Sequence, residues 1–276
     1  SRGLGDVYKR QPKACYPLGS VLTIAAAGSE MSNSCVITNE EGWYKKALDT
    51  DLARPKFAIM NPEITYTLPD YQTQCGCADI MMHTMERYFV LEDTMEITDK
   101  IAQDVMKNVM KYAKILKKDP ENYEARAEIM WCGSLSHNGL TGCGTCGGDW
   151  ATHLIEHELG GMFDVAHGAG LAAVWGSWAR YVMDEKPERF AQFAVDVMGV
   201  EESDDVKSTA LKGIEAVEEF YRMIEMPTNM KELGINPTDE QIKDMAMKAT
   251  NHDTQQLGAF KKLSAKDLVE IYKTAK

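Results

Sequence analysis

The 276-residue sequence has no run approaching the roughly 18 apolar residues that a membrane-spanning helix needs. It does not open on a basic segment followed by an apolar core, so no secretory signal is expected. Positive charge is scarce. Thirty Lys and Arg against 42 Asp and Glu leave a formal charge of −12. That balance excludes a general binder of nucleic-acid backbones, whose affinity rests on clustered cations. Internal repeats and low-complexity segments are missing. So is an even number of cysteines: seven, spread along the chain, fit reduced thiols in a cytoplasm better than a disulfide framework.

What is present reads as an ordinary globular chain, long enough for one large domain or two smaller ones. Its 17 methionines suit an adaptable, thioether-rich core. Residues 1–11 (Ser-Arg-Gly-Leu-Gly-Asp-Val-Tyr-Lys-Arg-Gln) read as translated sequencing-adapter sequence and are set aside, with natural sequence expected from near Pro12. Val21 to Ala26, Cys35 to Thr38 and Phe57 to Met60 are the expected strands, with a turn at Asn39-Glu40-Glu41-Gly42. Pro55, Pro62 and Pro69 disfavour long helices there. From about residue 70 the pattern is helical. Asp119-Pro120 predicts a helix start near 120, Thr238-x-x-Gln241 a capping box, and Ser264 the N-cap of a last helix. The expected fold class is therefore mainly α: a short α/β piece, with too few strands for a complete dinucleotide-binding sheet, followed by a large helical domain.

Six histidines carry the chemistry. In Asp79-Ile80-Met81-Met82-His83 the i, i+4 spacing puts a carboxylate and an imidazole one turn apart on one helical face. His153 and His157 repeat that spacing, and His167 precedes glycines (Gly168, Gly170) that permit close backbone approach. His137 and His252 read as ordinary polar contacts, His252 lying in a polar stretch that could line a cleft. Two metal readings compete. His153-x-x-Glu156-His157 matches the inverted zinc-peptidase pattern, with Glu156 activating water in a zinc hydrolase. The alternative gathers one carboxylate and three imidazoles, Asp79, His83, His153 and His167, around Fe or Zn with room for a substrate oxygen. It uses both motifs and is preferred. Cys143-x-x-Cys146 and Cys75-x-Cys77 leave a structural zinc site or a redox pair open, loop thiols near the metal motifs being the plainer reading.

At these residues the sequence resembles the iron-containing (group III) alcohol dehydrogenases, in their NAD(P)-dependent, butanol dehydrogenase-like branch. Leu22–Glu30, Arg54–Pro69, Thr73–Arg87, Glu128–Leu140 and Asp149–Leu171 carry the resemblance. It implies that residues 12–68 are the remnant of an α/β nucleotide-binding domain and 69–276 a helical, metal-binding catalytic domain. It implies an oxidoreductase that interconverts a primary alcohol and an aldehyde, with Fe(2+) or Zn(2+) on Asp79, His83, His153 and His167 and with NAD or NADP. His157 becomes a candidate proton relay or an orienting residue. Matched by position, Thr23, Gly28, Ser29, Lys45, Thr67 and Leu68 become cofactor contacts. Partners are then a small alcohol or aldehyde, neither nucleic acid nor membrane, with a homodimer left open. Two departures stand out. The family's Gly-Gly-Gly-Ser pyrophosphate loop lies upstream of anything present, so an N-terminally truncated member with weakened or lost cofactor binding is expected, and a catalytically silent metal-binding fragment is the remaining alternative. The family's usual Thr before Gly28 is Ala27.

Overall fold

The computed structural model describes residues 12–92 and 95–276; the adapter-like residues 1–11 lie outside the described residues. Strand β1 (Gly19–Val21) pairs in parallel with β4 (Phe57–Ile59), while β2 (Ser34–Asn39) and β3 (Tyr44–Asp49) form an antiparallel hairpin in register from Asn39 opposite Tyr44 to Ser34 opposite Asp49. Nine α-helices follow among the described residues: α1 (Asp70–Tyr88), α2 (Glu96–Leu116), α3 (Tyr123–His137), α4 (Ala151–Phe163), α5 (His167–Val182), α6 (Pro187–Asp196), α7 (Val206–Met223), α8 (Asp239–Ala249) and α9 (Ala265–Ala275). The protein is mainly α, as expected.

Three local expectations shift. The strand expected over 21–26 stops at Val21, and residues 23–27 bend. The reason is tertiary: this segment is drawn onto α1, where Gly76 receives the Ala25 carbonyl so closely that a Cβ would come within 2.2 Å of it. β3 was not expected, because Tyr44-Lys45-Lys46 carries no apolar alternation; it forms by pairing with β2. Helix α3 begins at Tyr123 rather than near 120. Asn122 is the cap, its Oδ1 accepting from Ala125 N at 3.0 Å, while Arg126 Nε donates to the Pro120 carbonyl at 2.8 Å and holds the preceding turn. The capping boxes at Thr238/Gln241 and Ser264/Asp267 are both formed.

Helix α1 is buried nearly all round, which marks a central helix rather than an amphipathic surface one. It packs between α2, α3 and α5. Ile80, Met81, Met82 and Met85 are wholly inaccessible, and the thioethers fill its irregular surroundings. Cys75 and Cys77 are buried in this helix, not in a loop; Cys143 and Cys146 are exposed. Beyond its C-terminus, Phe89 stacks on Phe190 at 4.3 Å and meets Trp175 and Trp178 of α5. Small residues set the helix spacing: a Cβ on Gly168, at the start of α5, would lie 2.0 Å from the Cys75 carbonyl oxygen of α1. The hairpin docks on α4 in the same way, the Trp43 carbonyl standing where a Gly161 Cβ would be 2.8 Å away.

The hairpin also places Lys46 Nζ 3.9 Å from Glu158 Oε1 of α4. Glu158 is 3% exposed, and burial, only partly offset by Lys46 and Lys248, pushes its carboxyl up from 4.5 to about 7. A raised folded-state value contributes stability below the unfolded value and loses it as pH rises through 7. The melting temperature of the chain is therefore expected to fall between pH 5 and pH 8, and Glu158→Gln to flatten that fall by an amount on the order of 3 kcal/mol. Thermal denaturation followed by circular dichroism across that range measures it; identical slopes in the two proteins would refute the assignment.

Candidate metal centre

Three helices deliver the four predicted ligands. Helix α1 carries Asp79 and His83, α4 carries His153, and α5 opens with His167. The start of α4 is built by its neighbours. Gly147 and Gly148 (φ 94° and 121°) and a left-handed Trp150 (φ 64°) turn the chain in. Asp149 then pins the turn, accepting from Ala151 N (3.1 Å), Ala259 N and Phe260 N (both 2.6 Å). The free backbone N–H of His153, in the first turn of α4, donates to Glu86 Oε1 of α1 at 3.0 Å. The same oxygen takes the His153 ring, Nδ1 at 3.1 Å. Glu86 thus serves as a helix cap and a ring holder at once.

The imidazoles converge on one oxygen, Asp79 Oδ1. His83 Nδ1 lies 2.9 Å from it, and His153 Nε2 and His167 Nε2 both lie at 3.7 Å. His153 Nε2 and His83 Nδ1 are 3.2 Å apart. Bonds of about 2.0–2.3 Å around a tetrahedral cation space the ligand atoms roughly 3.3–3.8 Å apart; the two 3.7 Å separations fall in that range, and the two made by His83 Nδ1, 2.9 and 3.2 Å, lie just below it. Asp79 Oδ1 is buried and makes no properly aligned hydrogen bond despite these neighbours. With His153 Nδ1 donating to Glu86 and His167 Nδ1 donating to Glu156 Oε2, the neutral forms of both rings turn their Nε2 lone pairs toward the carboxylate. Lone pairs facing a carboxylate in a buried site repel unless a cation stands among them. A divalent metal therefore fits, and a set of one carboxylate with three imidazoles suits Fe or Zn.

Protons compete with a metal for these nitrogens. Burial would raise Asp79, but the charges of His83 and His167 and contacts from His153 and His83 outweigh it and hold the carboxyl well below its usual 3.8. Burial, reinforced by the neighbouring His153, pushes His83 down to about 4. His153 moves the other way, to about 9: burial opposes its charge, but Asp79 and Glu86 together prevail. His157 is pushed down to about 3, chiefly by burial, so its ring is neutral at physiological pH rather than poised near neutrality.

The zinc-hydrolase grouping is not assembled. His153 joins Asp79 and His167, whereas His157 joins Glu156 and His167, and among the described residues no donor group contains both His153 and His157. Glu156, fully buried, is engaged by His167 and by Lys45 Nζ at 3.4 Å, which leaves it unsuited to activating water. No donor group among the described residues includes a cysteine. His252 stands apart, exposed in a turn whose residues Asn251–Asp253 all have positive φ.

Of the residues matched to cofactor contacts, Thr23, Ser29 and Thr67 are exposed, Lys45 and Leu68 are half-buried, and Gly28 is buried with φ 55°. Lys45 meets Glu156, tying the hairpin to the metal centre. Sequence reading missed Glu86 and His137 here and gave Glu156 a different role. Glu86 had a signal: Asp79, His83 and Glu86 fall at i, i+4 and i+7, one stripe of α1. Glu156 stands one turn from His153. His137 had none, and here its ring lies 3.7 Å from that of His83.

Carboxylates that hold ligating imidazoles typically matter 10–100-fold for metal affinity. Glu86→Gln is expected to weaken Zn(2+) binding by that factor, measured by chelator competition, while Lys46→Ala leaves it unchanged. Equal affinities for wild type and Glu86→Gln would contradict the ring-holding role.

Comparison with known proteins follows the same lines. Residues 73–276 match the C-terminal region of the Fe-containing alcohol dehydrogenase family, and residues 3–62 match the iron-containing alcohol dehydrogenases. The chain is 35% identical over 258 residues to NADH-dependent butanol dehydrogenase A of Clostridium acetobutylicum, covering 93% of this chain and 66% of that protein. It is 32% identical to an NADPH-dependent aldehyde reductase of Escherichia coli, covering 97% and 68%. The crystal structure of a Thermotoga maritima NADH-dependent butanol dehydrogenase A superposes with a TM-score of 0.90 at 35% identity, covering 97% of this chain and 68% of that one. The chain thus spans about two thirds of the length of these relatives. Helical architecture, a converging Asp-His-His-His set and matches along nearly the whole chain lead to one assignment: this chain belongs to the iron-containing alcohol dehydrogenase family.

Proposed function

We propose that this chain takes part in interconverting a primary alcohol and an aldehyde with NAD(P)(H), its metal held by Asp79, His83, His153 and His167. The observation that carries the reading is the convergence of three imidazoles on the buried, unbonded Asp79 Oδ1. When bound, Fe(2+) or Zn(2+) supplies Lewis acidity, which favours an alkoxide over an alcohol and polarises a carbonyl. The hydride chemistry belongs to the nicotinamide.

The chain's own residues do the rest. His167 is the most exposed of the four ligands, its side chain 29% accessible against 4% for Asp79 and 7% for His153, so a small substrate reaches the site over α5. Glu86 and Glu156 hold two imidazoles with Nε2 inward. His157 lies with its ring 5.8 Å from that of His167. Neutral at physiological pH but too weak a base to hold the alcohol's proton, it can accept a hydrogen bond from the alcohol and relay the proton outward, the role proposed for it here. Thr23, Gly28, Ser29, Lys45, Thr67 and Leu68 are the proposed cofactor contacts. A homodimer is compatible with this reading. Among the described residues no helix is long and apolar enough to cross a membrane.

Aldehyde-dependent NAD(P)H oxidation by metal-loaded protein is the test, run on this chain and on a form joined to the N-terminal region of a relative. His167→Ala is expected to lose metal and activity together. His157→Gln is expected to keep its metal and lose roughly 10²–10⁴-fold in turnover, the usual worth of a positioned proton-transfer group. Metal bound at full occupancy without turnover in either form would identify a silent metal-binding protein and reject the enzymatic reading.

A further inference from the structure

His137, at the C-terminal end of α3, is 4% exposed. Its two nitrogens have unequal fates. Nδ1 lies 3.0 Å from the Gly133 carbonyl oxygen and 2.7 Å from Ser136 Oγ. A carbonyl only accepts, and the Ser136 hydroxyl already donates to the same carbonyl at 2.8 Å. Both contacts therefore require the proton on Nδ1, which leaves a lone pair on Nε2. That Nε2 is buried and has no hydrogen-bond partner, a desolvated lone pair left uncompensated if nothing meets it. A backbone carbonyl on the far nitrogen is the arrangement that orients a metal-ligating imidazole. The ring is also fixed in place. It lies against His83 at 3.7 Å between centroids, and Gly28 packs so closely on it that a Cβ would come within 2.3 Å of His137 Cγ. Donor atoms of Asp79, His83 and His137 all lie within 4.8 Å of one another.

The structure assigns His137 as a fifth donor to the cation held at Asp79, adding an imidazole to the set of Asp79, His83, His153 and His167. The assignment rests on the metal-centre reading above. Asp79 is common to the group it forms with His83 and His137 and to the group it forms with His153 and His167, so α3 would join α1, α4 and α5 around one ion.

The test uses the full chain loaded with Co(2+), whose absorption reports coordination number and whose paramagnetism shifts the N–H proton of every coordinated imidazole. Four strongly shifted exchangeable N–H signals in the wild type support the assignment; three overturn it, and this reading requires no variant to fold. His137→Phe keeps the ring volume and removes the donor. It is expected to weaken Co(2+) binding at least ten-fold, to lose one shifted signal and to change the visible spectrum. Unchanged affinity and spectrum in a folded His137→Phe would overturn the proposal while leaving the four-ligand centre intact. Failure of the wild type to bind Co(2+) at all would instead remove the metal centre itself.

Discussion

A carboxylate buried near the middle of the central helix is the constraint around which this protein is arranged. Asp79 sits in α1 among wholly inaccessible methionine and isoleucine side chains. An ionised carboxylate there is costly unless positive partners reach it. Three imidazoles do so, from its own helix and from two others, and each approach imposes a requirement on packing. His153 reaches in because Glu86 caps the first turn of α4 and Asp149 ties that turn to the loop at Ala259 and Phe260. His167 reaches in because Gly168 lets α5 lie directly against the Cys75 carbonyl. A side chain at Gly168 would collide with that carbonyl and push α5, with His167, away from Asp79.

Around this point acid and imidazole alternate. Asp79, Glu86 and Glu156 are all buried, and each faces a histidine nitrogen. The glutamates fix which nitrogen carries the proton, so the lone pairs turn inward. Glu156 is itself held in a pocket of small residues, its Oε1 lying 2.9 Å from where the Cβ of either Gly160 or Gly170 would stand. Through Lys45 it connects the centre to the β2–β3 hairpin. Metal binding and the placement of the N-terminal segment are thereby parts of one network.

Much of this was legible in the residues. The i, i+4 spacings of Asp79/His83 and the clustering of His153, His157 and His167 place metal chemistry on helices without reference to any structure. The capping boxes at Thr238 and Ser264 are local hydrogen-bond patterns and formed as read. The start of α3 was misplaced because two acceptable caps, Asp119 and Asn122, lie one turn apart, and the choice fell to Arg126 reaching back to the Pro120 carbonyl. β3 was illegible because a strand with no apolar alternation exists only through its partner.

The sequence by itself determined the helical class, the two capping boxes and a set of four candidate ligands, because those depend on residue type and short spacing. Tertiary structure alone decided that His153 and His157 part company, that Glu156 holds an imidazole instead of activating water, and that His137 faces His83. Each of these depends on which helices touch and at what distance. That is set by the glycines at their crossings and by the burial of α1 on every side, neither of which has a signature within one turn of chain.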